Sequence, residues 1–122
     1  MEQPNRFQKL VADAKTRITE ISVMDAAAEL ELGNAVVIDV RERDDWDGAH
    51  IDGAVHLSRG TVELEIEEQI PQIDQPIICY CGGGGRAALA TESLQRMGYT
   101  NVRSLGGGFR AWQKAGLPTA DG

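Results

Sequence analysis

The chain has 122 residues, 42% hydrophobic and 25% charged, with a formal net charge of -7. That is enough for one globular domain burying about two thirds of its unfolded surface, and too little for two ordinary ones. The acidic balance and the lack of clustered Lys and Arg exclude nucleic acid as an expected partner. The uncharged apolar runs, such as Pro76 to Tyr80, fall far below the roughly 20 residues of a membrane span, so no membrane association is expected.

Phe7, Leu10, Val11 and Ala14 recur at helical spacing and predict an N-terminal helix that packs one stripe on the body. Ile18 to Ile21 reads as a short strand, after which Ser22 caps a helix running to Leu32, with Gly33 as its left-handed stop. Ala35 to Val40 is nearly continuously apolar, the pattern of a parallel strand buried on both faces, and Ala54 to Leu57 adds a second short strand. In Gly60 to Ile70, Val62, Leu64 and Ile66 alternate like a strand, but the length and the glutamates favour a helix. Pro76 to Tyr80 is the next strand. Arg86 to Met97 follows as a helix, with Ala87, Ala90, Leu94 and Met97 on one face and Gly98 as its stop. Val102 to Leu105 supplies a last strand, and Phe109 to Ala115 a terminal helix. This alternation predicts an α/β fold: a central parallel sheet of about five strands with helices on both faces, plus the N-terminal helix.

Ligands of such sheets sit beyond the carboxyl ends of the strands. Three segments fall there: Asp39 to Arg41, Leu57 to Gly60, and Cys81 to Arg86. The last carries the chemistry. Cys81 stands at the foot of four glycines, Gly82, Gly83, Gly84 and Gly85, and Arg86 opens a helix. Backbone N–H groups at a helix start, curled inward by glycines, favour an anion among them. A thiol placed there is expected to titrate below its free value and to act as a nucleophile. Arg86 adds a fixed positive charge. Cys79 lies inside the apolar strand and reads as a small core residue. A Cys79–Cys81 disulfide would span about 6.6 Å between Cα atoms, at the edge of disulfide geometry. Two cysteines without a matching pair of further ligands leave no metal site expected, and they form no disulfide framework of a secreted fold. The N-terminal segment lacks the apolar core of a secretion signal, so a cytoplasmic location is expected.

The chain resembles a single-domain rhodanese, a sulfurtransferase family. The likeness runs from Ile18 to Pro118, giving an N-terminal helical extension at 1–17 and a rhodanese-like domain at 18–122. Beyond the cysteine loop, it rests on VIDVRERDDWDGAHIDGAVHLSRG (Val37 to Gly60) and LGGGFRAWQKAGLP (Leu105 to Pro118). The resemblance implies that Cys81 takes a sulfane sulfur from thiosulfate or another persulfide donor. A persulfide then passes that sulfur to a thiophilic acceptor: cyanide in vitro, a thiol, or a protein. No cofactor is implied. The six-residue loop from Cys81 to Arg86 is similar to that of the sulfur-transferring members, whereas the related phosphatases and arsenate reductases carry one residue more. Where family loops that handle thiosulfate often carry basic or hydroxyl residues, this chain has Gly82, Gly83 and, after the arginine, Ala87. A noncatalytic binding or regulatory module is one alternative reading, against which the intact cysteine argues; a phosphatase or arsenate reductase of the same fold is the other, disfavoured by the loop length.

Asp39 and Arg41 share strand parity beside the loop and, by resemblance, hold its neighbours in place. Arg59, near the same rim, is a candidate for guiding an anionic donor. His50 and His56 lie in the HIDGAVH stretch and are read as structural, Trp46 and Trp112 as core aromatics, and Glu63 to Glu68 as a solvated face.

Overall fold

In the computed structural model, which describes residues 3–121, Asn5 starts helix α1 (Arg6–Lys15) with a reciprocal cap. Its side chain accepts from the Gln8 N–H at 2.7 Å, and the Gln8 side chain accepts from the Asn5 N–H at 2.8 Å. The outermost positions of the two expected segments, 1–2 and 122, lie outside the described residues. Strand β1 (Thr19–Ile21) leads to α2 (Val23–Leu32), capped by Ser22 and stopped by Gly33 at φ 73°. There follow β2 (Val36–Asp39), α3 (Arg43–Gly48), β3 (His50–Ile51), β4 (Val55–His56), α4 (Val62–Gln69) and β5 (Ile77–Tyr80). Helix α5 (Gly85–Arg96), β6 (Val102–Leu105), α6 (Gly108–Lys114) and β7 (Thr119–Ala120) complete the order.

Five strands form one parallel sheet in the order β1-β6-β5-β2-β4. The two-residue period of β2 and β5 sorts their side chains to opposite faces. Ile38, Ile77 and Cys79 pack with Val62 and Ile66 of α4 and with Ala87, Ala90 and Leu94 of α5. Val37, Ile78 and Tyr80 pack with Ala26 of α2 and with Phe109 and Trp112 of α6. Both faces are therefore covered, as the near-continuous apolar runs require. The segment after Gly60 is a helix because it buries Val62 and Ile66, one turn apart, and leaves Leu64 to solvent.

The structure adds two features and moves four side chains. Helix α3 and a small antiparallel pair, β3 with β7, are additional to the expected elements. Helix α1 packs on α5, as its apolar stripe suggests, but buries only Val11 and Ala14; Phe7 and Leu10 are exposed by about half (48% and 55%). Met97 lies past the last buried turn of α5 and is partly exposed. Trp112 is a core residue, whereas Trp46 is only half-buried and stacks on His50 with ring centroids 3.5 Å apart.

Candidate active site

Strand β5 is the central strand of the sheet, and Cys81 is the first residue beyond its carboxyl end. The Cys81 side chain is buried (1% exposed) yet lines an open cleft of about 400 Å3 with Phe7, Gly83, Gly85, Arg86 and Arg110. Its Sγ accepts from the Gly84 N–H at 3.1 Å and from the Ala87 N–H at 3.4 Å. These donors belong to the N-cap and first turn of α5, where no intrahelical carbonyl is available to receive them. Gly84 reaches this position at φ 112°, a conformation open to glycine and strained for other residues.

The far side of the loop is fixed by a second helix start. The Phe109 N–H of α6 donates to the Cys81 carbonyl at 2.8 Å, and the Arg110 N–H to the Gly82 carbonyl at 3.1 Å. The Cys81 and Gly82 carbonyls are thus bonded to α6, while the Gly84 and Ala87 amides of the same loop and helix donate to the sulfur. The approach is so close that a Cβ on Gly108 would lie 2.5 Å from the Cys81 oxygen and 2.7 Å from that of Gly82.

Asp39 ends β2, and Arg41 follows two residues on. Asp39 is fully buried; its carboxylate accepts from the Arg41 backbone and guanidinium at 2.8–3.2 Å and from the Tyr80 hydroxyl at 2.7 Å. Burial pulls the Arg41 guanidinium toward neutrality, but the hydrogen bonds and charge of Asp39 outweigh it and hold the group above its ordinary value. Burial, reinforced by its bond to Asp39, pushes the Tyr80 hydroxyl well above its usual range, so it remains a donor. The guanidinium of Arg41 lies 4.3 Å from the centre of the Phe109 ring, linking the pair to the start of α6.

The cleft therefore brings together Cys81, Gly83, Gly85 and Arg86 from the sequence expectations, with Gly82 and Gly84 in the same loop and Asp39 and Arg41 behind it. Arg59 is placed elsewhere: it pairs with Glu63 at 2.8 Å and is absent from the lining of the Cys81 cleft. His50 is tied to the Trp46 carbonyl and His56 to the Arg41 carbonyl, and neither lines the cleft. Cys79 is a free, fully buried thiol that desolvation pushes up to about 12, and Cys81 is also free. Two lining residues were not expected in the site, Phe7 and Arg110. Phe7 was visible only as a member of an apolar stripe, and Arg110 follows a glycine run whose close approach to Cys81 is a tertiary fact.

The fold and site define a parallel α/β domain that presents a thiol, cradled by backbone amides, beyond its central strand. The family follows from comparison: the model of the Rhodanese-like domain matches residues 22–115, and the chain belongs to that family. It is 32% identical over 98 residues to thiosulfate sulfurtransferase GlpE of Tolumonas auensis, covering 80% of this chain and 91% of that protein. The polysulfide-sulfur transferase homodimer of Wolinella succinogenes superposes with a TM-score of 0.82 at 30% identity, covering 95% of this chain and 88% of that one. A Rhodopseudomonas palustris protein of unknown function, described as a possible tyrosine phosphatase, gives a TM-score of 0.81 at 32% identity, covering 98% and 99%. Among the described residues no helix is long and apolar enough to cross a membrane.

Proposed function

We propose that this protein is a sulfurtransferase of the thiosulfate type that carries a sulfane sulfur as a persulfide on Cys81. The observation that carries the reading is the pair of backbone N–H groups aimed at the Cys81 sulfur. Donors fixed before the reaction stabilise negative charge on the Cys81 thiolate without reorganising, and the same glycine loop is the nest for the terminal sulfur once the persulfide has formed. With thiosulfate, the Cys81 thiolate attacks the outer sulfur, a new S–S bond forms as the donor's S–S bond breaks, and sulfite leaves with the electron pair. With cyanide as acceptor, carbon attacks the terminal persulfide sulfur; thiocyanate departs and the thiolate is restored. Each half-reaction balances without a cofactor, and the covalent intermediate gives ping-pong kinetics. A thiol or a protein thiol serves as acceptor by the same displacement. Two cysteines two residues apart, which form no disulfide framework, support a reducing compartment such as the cytoplasm.

The six-residue loop from Cys81 to Arg86 favours sulfur over the phosphoryl transfer suggested for the Rhodopseudomonas neighbour. Intact-mass measurement after incubation with thiosulfate is expected to show the gain of one sulfur. Cyanide should then discharge it as thiocyanate, and a Cys81→Ser variant should do neither. A wild-type protein that stays unloaded with thiosulfate and with organic persulfides would move the reading to a binding module. Phosphatase turnover without loading would move it to phosphoryl transfer.

A further inference from the structure

The loop around Cys81 carries no charge of its own before Arg86, yet its cleft is edged by a second arginine from another helix. Arg110 lies on the first turn of α6, and its backbone N–H is already bonded to the Gly82 carbonyl. Its guanidinium crosses the loop. Nη1 lies 3.0 Å from the point a Cβ on Gly83 would occupy, and Nη2 lies 3.8 Å from that of Gly82; Arg86 Nη2 lies 3.6 Å from the latter point. Two guanidinium groups thus lie over Gly82 and Gly83, in contact range of a Cβ at Gly82 and tight against one at Gly83. Among the described residues neither arginine forms a salt bridge. On a chain of net charge -7, two unpaired like charges beside one thiol repel each other, and an anion between them relieves the repulsion.

Phe7 gives the cleft an apolar lining. Phe7 sets its ring edge against α5, 3.1–3.2 Å from where a Gly85 Cβ would stand, and remains 48% exposed. The cleft shares Phe7 and Gly85 with a second hollow of about 260 Å3 that runs along α1 past Gln8, Val11 and Lys15. Together the two hollows extend the site from the sulfur along α1, past Phe7, rather than closing it around a single small anion.

Resting on the sulfurtransferase reading, we propose that Arg110 and Phe7 set donor specificity: the site takes an organic persulfide bearing a carboxylate, its anion held by Arg110 with Arg86 and its carbon body lying on Phe7. The Cys81 thiolate attacks the outer sulfur of R–S–S–H. The new S–S bond forms as the donor's S–S bond breaks, the thiolate R–S⁻ leaves, and the proton stays on the transferred sulfur. No oxidant or reductant is consumed.

Two measurements test the assignment. The first compares the alkylation rate of Cys81 by anionic iodoacetate with that by neutral iodoacetamide, which reads the local charge without any sulfur transfer. Arg110→Gln is expected to lower the iodoacetate-to-iodoacetamide ratio by about fivefold, Arg110→Lys to retain most of it, and Phe7→Ala to leave it unchanged. The second is kcat/KM for a carboxylate-bearing alkyl persulfide relative to thiosulfate. Phe7→Ala is expected to lower this preference by about fivefold, on the order of the loss of one apolar contact, with the melting temperature recorded as a check on folding. A flat alkylation ratio in Arg110→Gln overturns the anion site, and an unaltered donor preference in Phe7→Ala overturns the apolar wall. A wild-type protein that shows the Arg110-dependent ratio but accepts sulfur from neither donor overturns the sulfurtransferase reading instead, so the two failures are told apart.

Discussion

Gly82–Gly85 and Gly106–Gly108 follow adjacent strands, β5 and β6, and look alike in the sequence, yet an added methyl group meets different neighbours in each. At Gly82 the nearest atoms are the far ends of two arginines at 3.6 and 3.8 Å. At Gly108 they are backbone oxygens at 2.5 and 2.7 Å, and at Gly107 the Ala111 Cβ at 2.6 Å. In the first run, Gly82 and Gly83 leave space for arginine side-chain ends; in the second, Gly108 lets two pieces of backbone touch. Substitutions at Gly82 and Gly108 should therefore separate the two uses of glycine.

The largest effect is expected behind the second run, at Asp39→Asn. Removing the charge that faces the buried Arg41 should cost about 3 kcal/mol, read from urea unfolding, and loosen the start of α6 through Phe109. A midpoint unchanged from wild type would mean that the pair does not brace the loop. Gly108→Ala should cost about 2–3 kcal/mol from strain at φ 61° and from the carbonyl collision, a drop of roughly 10 °C in Tm. Sulfur loading should fall with it, because the carbonyls that orient the cradle are displaced.

An intermediate effect depends on pH and belongs to neither run. Cys79 is neutral in the folded protein until about 12 but ionises in the unfolded chain near 9.0. The folded state thus binds more protons in between. Its contribution is fully present below pH 9 and is lost as pH rises toward 12, at up to about 1.4 kcal/mol per pH unit. Cys79→Ala should flatten that alkaline decline, as followed by denaturation at a series of pH values; an identical slope would remove Cys79 as its source. The smallest effect is expected at Gly82→Ala, where the methyl group has ordinary contact distances. Stability should change by no more than about 0.5–1 kcal/mol, upward if at all, while KM for the sulfur donor rises because the methyl group fills space beside the two arginine ends. A large loss of stability there would erase the distinction between the runs.

Much of the architecture was legible because its signals are local. Ser22 and Gly33 bracket α2 by side-chain capping and left-handed geometry, and the uninterrupted apolar runs at β2 and β5 announce strands covered on both faces. Cys81 was legible because a thiol, glycines and a helix start fall in consecutive positions. What escaped depends on distant partners. The β3–β7 pair is two residues long on each side and exists only because residues around 50 and 119 meet. Helix α3 buries none of its residues and has no side-chain cap, so no apolar period marks it. Arg110 enters the site through the contact of α6 with the Cys81 loop, and Phe7 through the docking of α1 on Gly85; neither contact has a sequence period. Arg59 shows the converse: it lies beside an expected rim in the chain but is engaged by Glu63, one helical turn away.

The bonds from Phe109 and Arg110 to the carbonyls of Cys81 and Gly82 also impose an order in time. A nascent chain that has already delivered its thiol from the ribosome cannot complete the sulfur's surroundings until α6 has emerged as well. Until then the loop that carries Cys81 lacks the two bonds that fix its outer carbonyls, and its geometry is completed only by the downstream segment.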